Sequence, residues 1–115
     1  MASVEELRVP EELKKTIVRE HLDGLIGRTH LLILESLEKG DKTRLEVFNE
    51  IKGRWYITAP TQVIRATDQL KRINCVEEVG KKRVKFVEAE EAVCRITDKG
   101  RILLRALKEI YGEVT

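Results

Sequence analysis

Between Thr58 and Lys85 the chain changes its hydrophobic period with almost no link between the two halves. In "TAPTQVIRATDQLKRIN" the residues Val63, Ile64, Thr67, Leu70 and Ile73 recur at helical spacing and define a buried side, which leaves Thr61, Gln62, Arg65, Ala66, Gln69 and Arg72 outward. Thr58 or Ala59 caps this helix, Pro60 suits its first turn, and Asn74 tolerates the left-handed conformation that a turn into a strand requires. "CVEEVGKKRVK" then shifts toward a β-like period and gathers Lys81, Lys82, Arg83 and Lys85 without an acid among them. A polar-faced helix that runs straight into a cationic hairpin constrains the fold, because the two must lie close together.

The remaining elements are helical. Pro10 opens an N-terminal helix whose apolar stripe is Leu13, Ile17, Val18, His21, Leu22 and Leu25. Gly24 and Gly27 interrupt it, either ending the helix or bending it into the next. "THLLILESLEK" is strongly apolar and stops at Gly40, a residue suited to a left-handed C-terminus. Thr43 with Glu46 three residues on is a capping-box signature for a helix that turns Leu45, Phe48 and Ile51 inward and ends at Gly53. "RWYIT" follows, with Trp55 and Tyr56 expected as a core anchor beside the next helix. From Cys75 to Ile96, Gly80 and "EAEEA" are the candidate turns, which permits either a two-stranded hairpin with a long tip or three short strands. Thr97 caps a last helix, "DKGRILLRALKEIY".

Composition excludes several classes. The 115 residues make one domain with a modest core. Charged residues are 37% of the chain, aromatics 4%, and there is one Met, a profile that points to a thermophilic source. Net charge is only +2, so any positive field is local to the Lys81–Lys85 cluster. No apolar run approaches the roughly 18 to 20 residues that span a bilayer, and the N-terminus lacks a signal-peptide pattern, so a cytoplasmic protein is expected. Cys75 and Cys94 are expected to be small apolar side chains in a sheet, a bridge between them being the minority reading. No metal-ligand spacing, phosphate-binding glycine loop or Ser/His/Asp arrangement is present, so neither a cofactor nor an enzyme is expected.

Two segments carry a family resemblance. "APTQVIRATDQLKRINCV" resembles the recognition helix of winged helix-turn-helix transcriptional regulators, most closely the PadR-like group. "CRITDKGRILL" is similar to their strand-into-helix segment, a motif shared with MarR-like relatives. The chain departs from the pattern at Ala59 and Thr67, in a longer wing and in the added N-terminal helix. The resemblance, which covers about residues 29–111, implies an α+β, mostly α fold with a winged helix-turn-helix core at 29–96, its wing at about 75–96, and a C-terminal helix at 97–115; residues 1–28 add an N-terminal helical extension, expected either to dimerise or to cover the core of its own chain.

The chemistry agrees with that implication. A major groove about 12 Å wide admits one α-helix. Arg65 can address guanine, Gln62 and Gln69 can pair with adenine, Thr61 can meet a phosphate or a thymine methyl, and small Ala66 lets the helix sit deep. Thr58 joins them at the helix start, while Lys71 and Arg72 suit backbone phosphates. Lys81, Lys82, Arg83 and Lys85 suit the neighbouring minor groove or its phosphates. The expected function is sequence-specific double-stranded DNA binding by a transcriptional regulator. A protein-interaction adaptor and a sequence-independent chromatin protein are the alternatives. Surplus apolar surface at Leu13, Ile17, Leu22, Leu103, Leu107 and Tyr111 is expected to form a twofold dimer, spacing two recognition helices about 34 Å apart.

Overall fold

The computed structural model describes residues 27–83 and 89–111. The expected N-terminal helix with Leu13, Ile17, His21 and Leu22, and Lys85 at the hairpin tip, lie outside the described residues.

The first described helix, α1, spans Arg28–Glu38. His30, Leu31, Leu32, Ile33, Leu34, Ser36 and Leu37 are all buried, so α1 is covered on most sides, as a helix apolar around its circumference must be. It packs against every later helix and against the sheet. The chain then forms a two-residue strand, β1 at Lys42–Thr43, which the sequence did not announce. Thr43 also caps the second helix, α2 at Arg44–Ile51: its hydroxyl accepts from the Glu46 N–H at 3.2 Å, and Glu46 Oε1 accepts from the Thr43 N–H at 2.9 Å. The capping box expected there is present.

A turn leads to the third helix, α3 at Pro60–Arg72, with Pro60 in its first turn. Val63, Ala66, Thr67 and Leu70 are its buried residues. Two assignments from the sequence are therefore reversed. Ala66, expected outward, is 4% exposed, and Ile64, expected inward, is among the exposed large apolar residues. Val63, Thr67 and Leu70 lie inside, which centres the buried arc on their side and rotates Ile64 out of it. Gly40 is not left-handed, and Gly53 is (φ 83°).

Strands β2 at Val76–Arg83 and β3 at Glu90–Ile96 form an antiparallel hairpin in register from Val76 opposite Ile96 to Arg83 opposite Glu90. Gly80, expected at a turn, lies within β2 at the bulge between Glu78 and Gly80. β1 pairs with the other edge of β3, giving the sheet order β1-β3-β2. The last helix, α4, spans Asp98–Tyr111.

One junction joins these parts. Asn74 takes the expected left-handed conformation (φ 63°), and the Cys75 N–H returns to Leu70 O at 2.9 Å. Thr97 reaches across: its hydroxyl donates to Asn74 O at 2.6 Å and its N–H donates to Cys75 O at 3.1 Å. The same hydroxyl accepts from the Gly100 N–H at 3.0 Å, which caps α4. A Cβ on Gly100 would stand 2.1 Å from Cys75 O and 2.7 Å from Ile96 Cγ1, so only glycine lets α4 pass this close to the start of the hairpin. Both cysteines are buried as thiols without a disulfide, and burial pushes the Cys94 thiol up, which keeps it protonated.

The core includes Leu31, Ile33, Ile51, Ile57, Leu70, Ile96, Leu103 and Leu107. Leu103 and Leu107, expected at a dimer interface, are thus used by the chain's own core, because the β3–α4 junction turns that face of α4 toward α1. Tyr111 is half-buried against the same core.

Gly100→Ala must displace backbone, so it should cost about 3 kcal/mol and lower Tm by roughly 10 °C or more in thermal denaturation. Thr67 is 1% exposed and its hydroxyl meets no partner among the described residues. Thr67→Val should therefore stabilise by about 1 kcal/mol in urea titration, and a loss of stability would show that the hydroxyl is bonded.

Candidate nucleic-acid interface

The outward side of α3 follows from its buried side. Opposite Val63, Thr67 and Leu70 lie Thr61, Arg65, Asp68 and Arg72. Thr61, Arg65 and Arg72 are exposed. Arg65 and Arg72 are two helical turns apart, about 10.5 Å along the axis. Asp68 is an acid in the middle of this basic face. Arg44 of α2 neutralises it, with Nη1 3.1 Å from Asp68 Oδ1 and Nη2 3.8 Å from Glu91 Oε2. Neither Arg44 nor Asp68 figured among the expected site residues, although helical spacing alone puts Asp68 opposite the core.

The two glutamines are committed to other work. Gln62 Oε1 accepts from the Thr58 N–H at 2.7 Å and the Ala59 N–H at 2.9 Å, while Nε2 donates to Tyr56 O at 3.2 Å. Ala59 has no side chain able to cap α3, so Gln62, three residues on, satisfies the backbone donors instead. Its side chain is thereby held away from the role of adenine reader. Gln69 Oε1 lies 2.7 Å from His30 Nε2 on α1. His30 Nδ1 accepts from the Gly27 N–H at 3.1 Å, so Nε2 carries the proton and donates to Gln69. Thr29, His30, Thr61, Gln62, Arg65, Ala66 and Gln69 together line an open groove of about 350 Å³ between α1 and α3.

The hairpin's cations divide by face. Lys82 is 2.7 Å from Glu46 Oε2, the same carboxylate whose other oxygen caps α2. Lys71 of α3 pairs with Glu78 of β2. These two contacts fix the hairpin relative to α2 and α3. Lys81 and Arg83, exposed on β2, make no ion pair among the described residues, and neither do Arg65 and Arg72. The structure thus brings Thr61, Arg65 and Arg72 onto one open helix face, beside a hairpin carrying Lys81 and Arg83. Ala66 falls inside it. Thr58 is exposed at its start.

The loop before α3 holds a surprise. Trp55 and Tyr56 are not a core anchor: they are 45% and 81% exposed, and both adopt left-handed φ angles of 43° and 61°. Ile57 supplies the anchor, fully buried.

Among solved structures the chain is similar to a PadR family transcription regulator from hypervirulent Clostridium difficile R20291. Identity is 18%, the TM-score is 0.61, and the match covers 74% of this chain and 88% of that one. The chain has the fold of a PadR family regulator. No family model and no curated protein matches the sequence. Within this PadR-like fold, the described residues contain no cluster of His, Cys, Asp or Glu able to hold a metal and no helix long and apolar enough to cross a membrane.

His30 places a buried titratable group beside this face. Burial pulls its pKa below the ordinary 6.5, partly countered by the bond to Gln69. Protonation would also turn Nδ1 into a donor facing the Gly27 N–H. Since the folded value lies below the unfolded one, the stabilisation from the neutral ring is full above about pH 6.5 and is lost as pH falls from there toward the folded value. Urea titrations between pH 7.5 and 5 should show this loss in the native chain and a reduced slope in His30→Gln. An equal slope in the variant would assign the effect to other groups.

Proposed function

We propose that the chain is a double-stranded DNA-binding transcriptional regulator. In this reading α3 is the recognition helix of a winged helix-turn-helix and enters the major groove, while the β2–β3 hairpin is a wing along the adjacent minor groove or its phosphates. The likeness to a PadR regulator supports it at the level of the fold.

The observation that carries the proposal is a division of labour among cations. Arg44, Lys71 and Lys82 are held by acids, whereas Arg65, Arg72, Lys81 and Arg83 are left open on α3 and the adjoining strand. Open cations on two fixed, neighbouring elements suit a polyanion whose phosphates are regularly spaced. Arg65 has the geometry to bond guanine O6 and N7, Thr61 to bond phosphate or touch a thymine methyl, and Arg72 to bond phosphate. Arg44 keeps the Asp68 charge from repelling the duplex.

Equilibrium binding to a pool of duplexes across a salt series tests the reading. Neutralising Lys81 and Arg83 together should weaken binding to every duplex and flatten the log–log salt slope by about 0.9 per lost phosphate contact. Lys82→Ala should flatten it less, because Glu46 already holds that ammonium. No duplex binding by the native chain, even at low salt, would end the proposal.

A further inference from the structure

The proposed contacts leave Tyr56 without a task. The residue is 81% exposed, so packing does not account for it. Its backbone does not account for it either, because two successive residues bearing a Cβ, Trp55 at φ 43° and Tyr56 at φ 61°, hold a conformation that Gly or Asn adopts far more readily. Strain kept at an exposed position is a mark of function.

The surroundings fix the ring in place. The Arg28 guanidinium lies 3.8 Å from the centre of the Trp55 ring and 5.4 Å from that of Tyr111, so Trp55 is held by a cation at the start of α1 that also faces the end of α4. Tyr56 meets Trp55 edge-on, with centroids 5.3 Å apart and planes at 69°. Its carbonyl accepts from Gln62 Nε2, which ties it to the first turn of α3. Gly53 N–H to Ile57 O at 2.9 Å and Ile57 N–H to Arg54 O at 3.0 Å close the turn beneath it. Tyr56 thus stands just before the N-terminus of α3, on the same end as exposed Thr58 and Thr61.

Charge selects the partner. From Ile51 to Thr67 the sequence has Lys52, Arg54 and Arg65 and no acid, and the N-terminus of α3 adds its own positive end. We propose that Tyr56 is a further duplex-contacting residue, its hydroxyl donating to a backbone phosphate beside the groove that α3 enters. The inference rests on the DNA-binding reading above. A neutral phenol binds phosphate without releasing a counterion, so its contribution has a signature distinct from that of the cations.

The test compares Tyr56→Asn and Tyr56→Phe with the native chain on one set of duplexes across a salt series, with Tm measured in parallel. Tyr56→Asn relieves the left-handed strain and should match or exceed the native Tm. Both variants should weaken binding about tenfold on every duplex with an unchanged salt slope. Native affinity in Tyr56→Asn overturns the inference and leaves the DNA reading standing. A loss in Tyr56→Asn but not in Tyr56→Phe overturns the hydroxyl–phosphate contact, and a lowered Tm in Tyr56→Asn overturns the strain argument. Failure of the native chain to bind any duplex removes both the reading and the inference.

Discussion

Thr97 holds the molecule together at one point. Its hydroxyl donates to Asn74 O and accepts from the Gly100 N–H, and its own N–H bonds Cys75 O. Three elements converge there: the end of α3, the first strand of the hairpin, and the start of α4. A buried backbone polar group left unpaired costs as much as a lost hydrogen bond, so ending α3 directly against another element demands such a closure. Gly100 is its steric counterpart, since any Cβ there would overlap the Cys75 carbonyl. With this junction closed, α3 and the hairpin leave one point in set directions, and the outward face of α3 is determined.

Ion pairs refine what the junction sets. Each lies at or near the surface and is worth little alone, typically under about 1 kcal/mol. Their value is in placement. Lys82 with Glu46 and Lys71 with Glu78 tie the hairpin to α2 and α3, and Arg44 bridges Asp68 and Glu91 across α2, α3 and β3. Glu46 illustrates the economy of the arrangement, since one oxygen caps α2 and the other holds the hairpin. Arg65, Arg72, Lys81 and Arg83 lie outside this lattice and make no ion pair among the described residues. His30 adds a tether of another kind, fastening α3 to α1 through Gln69 with a ring that must stay neutral.

Signals confined to a few neighbouring residues were legible before the fold was known. The Thr43–Glu46 box, Pro60 in the first turn of α3, left-handed Asn74 and the Thr97 cap each depend on groups within about four residues of one another. The basic hairpin was legible too, because a run of cations without acids needs no tertiary information. Side-chain roles at the site were less so. Gln62 and Gln69 have the chemistry to read a base, but Gln62 caps its own helix and Gln69 bonds a histidine 39 positions away. Ala66 and Ile64 exchanged sides because the buried arc is centred on Val63, Thr67 and Leu70, which takes in Ala66 and leaves Ile64 outside. Trp55 and Tyr56 look like core material by composition, yet the turn that lets α2 give way to α3 projects them into solvent and buries Ile57 instead.

The sequence by itself determined the order of the described helices, their caps and the concentration of positive charge after α3, because helical periods, capping and charge runs act over short stretches of chain. Only the tertiary structure decided which cations stay open, which glutamines are occupied, that β1 completes the sheet on the far edge of β3, and that Leu103 and Leu107 serve the chain's own core. Those outcomes depend on partners distant in sequence, which come within bonding distance only once the helices and the sheet have packed.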